Sequence, residues 1–369
     1  MLGNVVYESF EKMEAFMRDV FIKVGVPAED AAVCAEVLIE SDKRGIDSHG
    51  VGRFKPIYID RIKDGIQNPV TEFEIARDYL ATAVVDGHDG MGQVIGKKSM
   101  QLAIDKAKQH GLGMVAVRNS THYGIAGYYV MMAAREGMIG ITGTNARPSI
   151  APTFGVENML GTNPLTVGLP SDEDFPFVLD CATSISQRGK IEHYERIGKT
   201  MPPGWVINRD GSTETDPSKA LAGLTKGTAA LTPLGGIGED SGGYKGYGYA
   251  TVVEILSAAL QQGQFLKALN GFDSDGKKIP YHLGQFFIAI DIRAFVELER
   301  FKKTTGDILR ELRASERAPG HERIYTAGEK EYLAWLSRKE TGVPLNESLK
   351  KTIKALQEEY KLDSYEFDF

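Results

Sequence analysis

Between residues 81 and 290, short runs of β-branched residues alternate with helical stretches, and this alternation limits the chain to an α/β layer architecture. Residues 81–86 read as a strand, 96–109 as a helix and 113–117 as the next strand. Helix 126–136, strand 139–144 and strands 165–169 and 176–180 continue the pattern. Residues 198–243, rich in Gly, Pro, Thr and Asp, read as long surface loops before helix 249–262 and strand 286–290. Helical patterns flank this unit. Residues 6–24 place Tyr7, Phe10, Met13, Met17, Val20 and Phe21 at helical spacing. Pro27 opens a second helix that runs to about Lys43, and a third spans about 53–63. After Asp291, helices are expected at 293–303, 305–313, 326–341 and 345–360. Helices at both ends imply that the termini pack together. The expected division is a helical subdomain of 1–75 plus 292–369 around an α/β domain of 76–291.

Composition narrows the function. The net charge is -7 and no Lys/Arg run interrupts the chain, which argues against nucleic acid as partner. Two cysteines, Cys34 and Cys181, make neither a disulfide framework nor a zinc quartet. No run of about 18 apolar residues appears, and the first residues lack the pattern of a secretory leader. No membrane partner and a cytoplasmic location are therefore expected. The seven histidines show no i, i+4 pair of the metalloprotease kind, so no metal site is expected.

Two nucleotide-like patterns are weighed and set aside. Gly90, Gly92 and Gly96 form a GxGxxxG variant between a strand and a helix, but no acid follows about 20 residues on, where Val117-Arg118-Asn119 stand. Tight packing explains these glycines better. Residues 197–200 end like a P-loop without its leading glycine.

Three other segments carry chemistry. Asp47-Ser48-His49-Gly50-Val51-Gly52-Arg53 crowds an imidazole, a hydroxyl and a guanidinium into a loop between helices. His exchanges a proton near neutral pH and Arg grips a carboxylate with two prongs, a pairing suited to a 2-hydroxy or 2-keto acid. Asn119-Ser120-Thr121-His122-Tyr123-Gly124 follows a strand, where ligands of α/β sheets gather. Asn145 and Asp180 emerge from two further strand ends. Gly243-Tyr244-Lys245-Gly246-Tyr247-Gly248, ahead of a helix, combines mobile backbone N–H groups with a cation, as an anion site would.

Together with Leu160-Gly161-Thr162-Asn163-Pro164, Asp180-Cys181-Ala182-Thr183-Ser184 and Ala318-Pro319-Gly320, these segments resemble, in order, the malate/L-lactate dehydrogenase family, which includes sulfolactate, ureidoglycolate and diketogulonate oxidoreductases. The resemblance implies a three-layer mixed sheet of the sulfolactate-dehydrogenase-like type, not a Rossmann fold. It implies an NAD(P)-dependent 2-hydroxyacid oxidoreductase, most simply of malate or lactate, assembled as a homodimer, with NAD or NADP as cofactor. Cofactor contacts carry over to Asn145, Ala146, Asp180, Cys181, Ala182, Lys245, Gly284, Gln285, Phe286, Gly320, His321 and Glu322. Substrate contacts carry over to Arg53, Tyr58 and His122. His49 and His122 are the two acid/base candidates, His49 ahead because Ser48 and Arg53 adjoin it, with Asp47 or Ser48 setting its tautomer.

Two departures from the family pattern stand out. Gln285 replaces a frequent His, and the stretch 53–61 is one residue longer, which makes Tyr58 rather than Ile57 the match to a substrate-contacting Tyr. Arg118 and Arg147 are candidates for a 2'-phosphate. The alternatives are a cyclic imino acid reductase of the same family and a nucleotide-binding homologue without turnover.

Overall fold

The computed structural model describes residues 5–369. At its centre is a seven-stranded mixed sheet. In spatial order its strands are Glu74–Tyr79, Thr82–Asp86, Leu112–Ser120, Leu283–Asp291, Met138–Thr144, Leu165–Leu169 and Phe177–Cys181. Only the Thr82–Asp86 and Leu112–Ser120 pair runs parallel, joined by helix Gly92–His110; every other neighbour is antiparallel. One βαβ unit in a seven-stranded sheet is not a Rossmann fold.

Helices Gly92–His110 and Gly127–Arg135 bury one face through Ile95, Ala103, Tyr129 and Ala133 against Val115, Val117, Phe287 and Ala289. Segment 243–263 covers the other face. There Gln261 donates to the Val117 carbonyl (3.0 Å), and a Cβ at Gly284 would overlap the Ser257 carbonyl. Helices therefore lie on both sides of the sheet, giving three layers.

Both chain ends enter one core. Strand Val6–Glu8 pairs antiparallel with Val343–Leu345. Phe16, Met17, Phe21, Leu38 and Tyr58 pack with Ile353, Leu356 and Phe367. Helix Leu298–Ala314 contributes nothing to that core; Arg310 and Arg313 bind Asp172 and Glu173 instead. It is one helix where the sequence reads as two.

Other elements depart from the sequence reading for local reasons. Helix Gly92–His110 starts four residues early, because Thr121 Oγ1 caps the Gly92 N–H (2.9 Å) and a Cβ there would overlap the Thr121 carbonyl. Its N-terminus is thus filled by protein, as the packing explanation of the glycines requires. Helix Pro217–Lys226 lies within the expected loop region, capped by the Asp216 side chain with Pro217 in its first turn. The glycine-rich run does not precede its helix but forms it, Gly243–Leu256. No helix among the described residues is long and apolar enough to cross a membrane.

Candidate active site

Two loops meet at one end of the sheet. One joins helix Ala28–Lys43 to the short helix Val51–Arg53; the other leaves strand Leu112–Ser120 at Thr121. They bring His49 and His122 into a near-parallel stack, ring centroids 5.9 Å apart at 17°. The Tyr58 hydroxyl lies 2.6 Å from His122 Nδ1, and the Gly124 N–H also points at that nitrogen (3.3 Å). A backbone N–H only donates, so Nδ1 is the acceptor and the neutral ring carries its proton on Nε2. His49 Nδ1 lies 2.8 Å from Ser48 Oγ, a partner able to donate or accept.

Burial pushes both imidazoles down. His49 falls to about 4, with Arg53 adding to the effect. His122 falls well below its ordinary value, with His49, Arg61 and Arg53 contributing after burial. Both rings are neutral at pH 7, rather than poised near it as unperturbed histidines would be.

Tyr58 reaches His122 because residues Phe54–Ile59 wind as a π-helix. A single π-turn absorbs one extra residue between flanking α-turns, and this is the stretch where the sequence is one residue long. The Tyr58 ring is fully buried against Phe21, and burial holds its phenol protonated.

Two arginines, Arg53 and Arg61, stand beside the pair, and a third, Arg147, stands beside Arg61. Arg53 Nε donates to the Ser48 carbonyl (2.7 Å). Arg61 lies over the Tyr281 ring, 4.6 Å from its centroid. Burial lowers its pKa first, and the like charges of Arg147 and Arg53 also do so. Among the described residues, none of the three has a carboxylate partner. Such an arrangement favours a bound anion. Sequence reasoning passed over Arg61; its signal was its place three residues after Tyr58, on the same helical face.

A cleft of about 440 Å³ opens from His49, lined by Ser48, Thr162, Cys181, Ala182 and Lys190. A groove of about 340 Å³ beside Tyr325 and Thr326 shares Ile46, Ile125 and Asp180 with it. The two form one trough within the range of cofactor sites. Exposed Cys181, half-buried Ala182 and Lys190, which lies over the Trp205 ring and has no carboxylate partner among the described residues, leave its wall open for a dinucleotide. Lys190 was not among the sequence candidates.

The remaining candidates divide. Asp180 lines the trough, but its carboxylate is occupied by the Gly127 N–H (2.7 Å) and Thr166 Oγ1 (2.9 Å) at a helix N-terminus. Burial raises its pKa against both bonds. Lys245 is exposed in the first turn of its helix, next to Gly246, which packs on Leu234 at the cleft rim. Gly320, His321 and Glu322 lie on an exposed loop. Asn145 is buried as a clip: Oδ1 accepts from Gly284 N (2.8 Å) and Nδ2 donates to the Gln264 carbonyl (3.1 Å). Ala146 packs against Gly161, and Phe286 against Gly143 in the core. Gln285 is fully buried and donates to the Thr121 carbonyl (3.0 Å), so it supports the backbone beside His122.

Asp47 turns away from His49 and pairs with Arg338; the ring's partner is Ser48. Arg118 is bound to Asp86 (2.7 Å) and is not free for a phosphate. Glu72, Glu74 and His88 form a metal-sized cluster at the exposed sheet edge, in which His88 Nε2 lies 2.8 Å from Glu74.

A family model described as malate/L-lactate dehydrogenase matches residues 9–354. A malate dehydrogenase of Pyrococcus horikoshii is 44% identical over 342 residues, spanning 93% of this chain and 92% of that one. The L-sulfolactate dehydrogenase of Methanocaldococcus jannaschii is 40% identical over 355 residues, 96% of this chain and 97% of its own. The crystal structure of malate dehydrogenase from Entamoeba histolytica matches with a TM-score of 0.94 and 46% identity, covering 99% of this chain and 100% of that chain.

Proposed function

The chain belongs to the malate/L-lactate dehydrogenase family and oxidises or forms the CH–OH of a 2-hydroxy acid with a nicotinamide cofactor, and we propose that its substrate carries a second acidic group, as malate and sulfolactate do. The carrying observation is a set of three arginines without carboxylate partners among the described residues, Arg53 and Arg61 beside the His49–His122 stack and Arg147 beside Arg61. One guanidinium suffices for the C1 carboxylate of lactate. Two more suit a second anion.

Cys181, Ala182 and Lys190 along the trough would hold a nicotinamide cofactor, which would supply or accept the hydride at C2. Arg53 grips the C1 carboxylate, and Arg61 with Arg147 holds the distal acid. An anion entering this site raises both depressed imidazoles. His122 then takes up a proton at Nδ1 and delivers the one on Nε2 to the C2 oxygen, which leaves the ring as its Nδ1–H tautomer; in oxidation Nε2 of that tautomer accepts the proton. Tyr58 serves each state, because its hydroxyl donates to Nδ1 of the resting ring and rotates to accept from Nδ1–H of the charged ring and of the tautomer that proton delivery leaves. Two hydrogen-bond partners thus fix His122, whereas among the described residues the His49 ring is hydrogen-bonded to Ser48 alone. For this reason His122 is assigned as the acid/base and His49 as the group that orients substrate.

The proposed assembly is a homodimer. Tyr249, Val252 and Ile255 line an exposed face of helix Gly243–Leu256, joined by exposed Leu260 and Phe265. A helix apolar on its outer side as well as its inner one is suited to burial on both. Two unpaired thiols, Cys34 and Cys181, suit a reducing compartment, and the cytoplasm is the proposed location.

The test is a panel of oxaloacetate, sulfopyruvate and pyruvate, each with NADH and with NADPH. Oxaloacetate or sulfopyruvate should exceed pyruvate at least tenfold in kcat/KM. Equal or better turnover of pyruvate would overturn the two-acid assignment.

A further inference from the structure

The loop that carries His49 is held from both sides by groups far from it in sequence. Arg338, at the end of helix Glu329–Arg338, forms a two-pronged ion pair with Asp47, one arm at 2.9 Å and the other shorter. The same guanidinium donates to the Asp42 carbonyl (2.7 Å), in the last turn of helix Ala28–Lys43. The Asp42 side chain then reaches past the loop and accepts from Val51 N (2.8 Å). Its carboxyl fills the space that a Cβ at Gly50 would need, so the loop closes against it only with glycine there. One side of His49 is thus tied to Arg338 through Asp47, and the other to Asp42 through Val51.

The anchor also has a second end. Residues Tyr325–Gly328 and Glu331, at and just before the start of the same helix, line the groove proposed for the nucleotide. At that end Glu329 is buried and accepts from Thr326 N (3.1 Å). A single ten-residue helix therefore runs from the groove wall to the catalytic loop.

We infer that Arg338 is a positioning residue for the reaction: through its bidentate hold on Asp47 and its bond to the Asp42 carbonyl, it fixes His49 opposite His122. Asp47 acts as the receiving half of this clamp and not as a partner of the imidazole. A planar guanidinium is required, because a lysine can reach only one of the acceptors at a time.

The inference rests on the dehydrogenase reading of the His49–His122 site, and the controls separate the two. Arg338→Ala, Arg338→Lys, Asp47→Asn, the double variant and His122→Ala are compared with the unaltered enzyme, using oxaloacetate and the preferred nucleotide. Arg338→Ala and Asp47→Asn should each lower kcat about tenfold, with the dissociation constant of the reduced nucleotide, read by its fluorescence, unchanged within twofold. The double variant should be no worse than Arg338→Ala, since both break one interaction. Arg338→Lys should recover part of the loss. If Arg338→Ala does not fold, Asp47→Asn and Arg338→Lys carry the same test, Asp47 being half exposed. Full kcat in Asp47→Asn and Arg338→Lys, or losses that multiply in the double variant, would overturn the clamp. Full activity in His122→Ala would instead overturn the site reading on which it stands.

Discussion

Tyr58→Phe removes one oxygen from a fully buried ring and should impair catalysis without disturbing the fold. The hydroxyl is 2.6 Å from His122 Nδ1, and among the described residues the only other hydrogen-bond partner of that nitrogen is the Gly124 N–H at 3.3 Å. In the charged ring Nδ1 carries a proton and needs an acceptor. Gly124 presents another donor. Loss of the hydroxyl would leave a buried imidazolium N–H without a partner, a loss of about 1.5–3 kcal/mol for a hydrogen bond to a charged group. That range corresponds to a fall in kcat/KM of about 10- to 100-fold. The loss must be equal in both directions, because the overall equilibrium belongs to the reactants and not to the enzyme. The sign of the pH effect also follows. Removing the acceptor disfavours the protonated ring, so the His122 pKa in the ternary complex drops by about 1–2 units. The high-pH decline of keto-acid reduction should therefore begin at lower pH in the variant. Stopped-flow oxidation of the reduced nucleotide across pH 5–9 measures both quantities, with thermal melting as the check on folding. A kcat/KM within threefold of the unaltered enzyme would refute the proton path, and so would a loss confined to KM. The second outcome would mean that Tyr58 touches substrate and does not tune His122.

Three further expectations follow from the same residues. His122→Asn should lower kcat by about 10²–10⁴-fold while leaving nucleotide binding intact by fluorescence titration, the range for loss of a general acid/base. Arg61→Leu should raise the KM for oxaloacetate more than that for pyruvate, at least tenfold in the ratio, if Arg61 holds the distal acid. Asp42→Asn should stabilise the protein at alkaline pH. Burial raises the Asp42 carboxyl from 3.8 to about 8, so the unfolded chain releases this proton between pH 4 and 8 while the folded chain keeps it. Stability is consequently lost as pH rises through that window, to a total of about 5 kcal/mol by pH 8. Asparagine keeps the acceptor for Val51 N and has no proton to lose. Its melting temperature should exceed that of the unaltered enzyme at pH 8 and converge with it toward pH 4; a constant difference would show that Asp42 is ionised throughout.

The sequence was legible where periodicity and punctuation agreed. Helix Ala28–Lys43, with Pro27 before it and Glu29 and Asp30 in its first turn, was placed within a residue. Strand Met138–Thr144 was likewise placed, its β-branched and small residues ending where the chain turns to Asn145. The edge strand Glu74–Tyr79 is invisible to periodicity because every residue in it is exposed, so no alternation of apolar side chains marks it. The first turns of helix Gly243–Leu256 look like a loop in the sequence because six of its first seven residues are glycine or tyrosine, with little helix preference. Close packing overrides that preference: a Cβ at Gly243 or Gly246 would overlap the carbonyls of Gly236 or Leu234.

The site shows the same division at the scale of single side chains. Residue type and spacing brought His49, His122, Arg53 and Tyr58 to attention, and the fold sets them together. What spacing could not supply was the direction in which each group is spent. Asn145, Asp180 and Gln285 are polar residues at strand ends, where a ligand is the natural guess. Each instead satisfies a buried backbone group: Gly284 N, Gly127 N and the Thr121 carbonyl. Buried polar groups of the backbone need partners as firmly as a ligand does, and sequence alone does not say which claim prevails. The one-residue surplus between Arg53 and Arg61 is the reverse case. As a length it carried no chemistry. Absorbed as a π-turn, it sets the register in which the Tyr58 hydroxyl meets Nδ1 of His122. Deleting Ile57 should therefore restore an α-helical turn and rotate Tyr58 by about 100° about the helix axis, costing the enzyme at least as much kcat as Tyr58→Phe does.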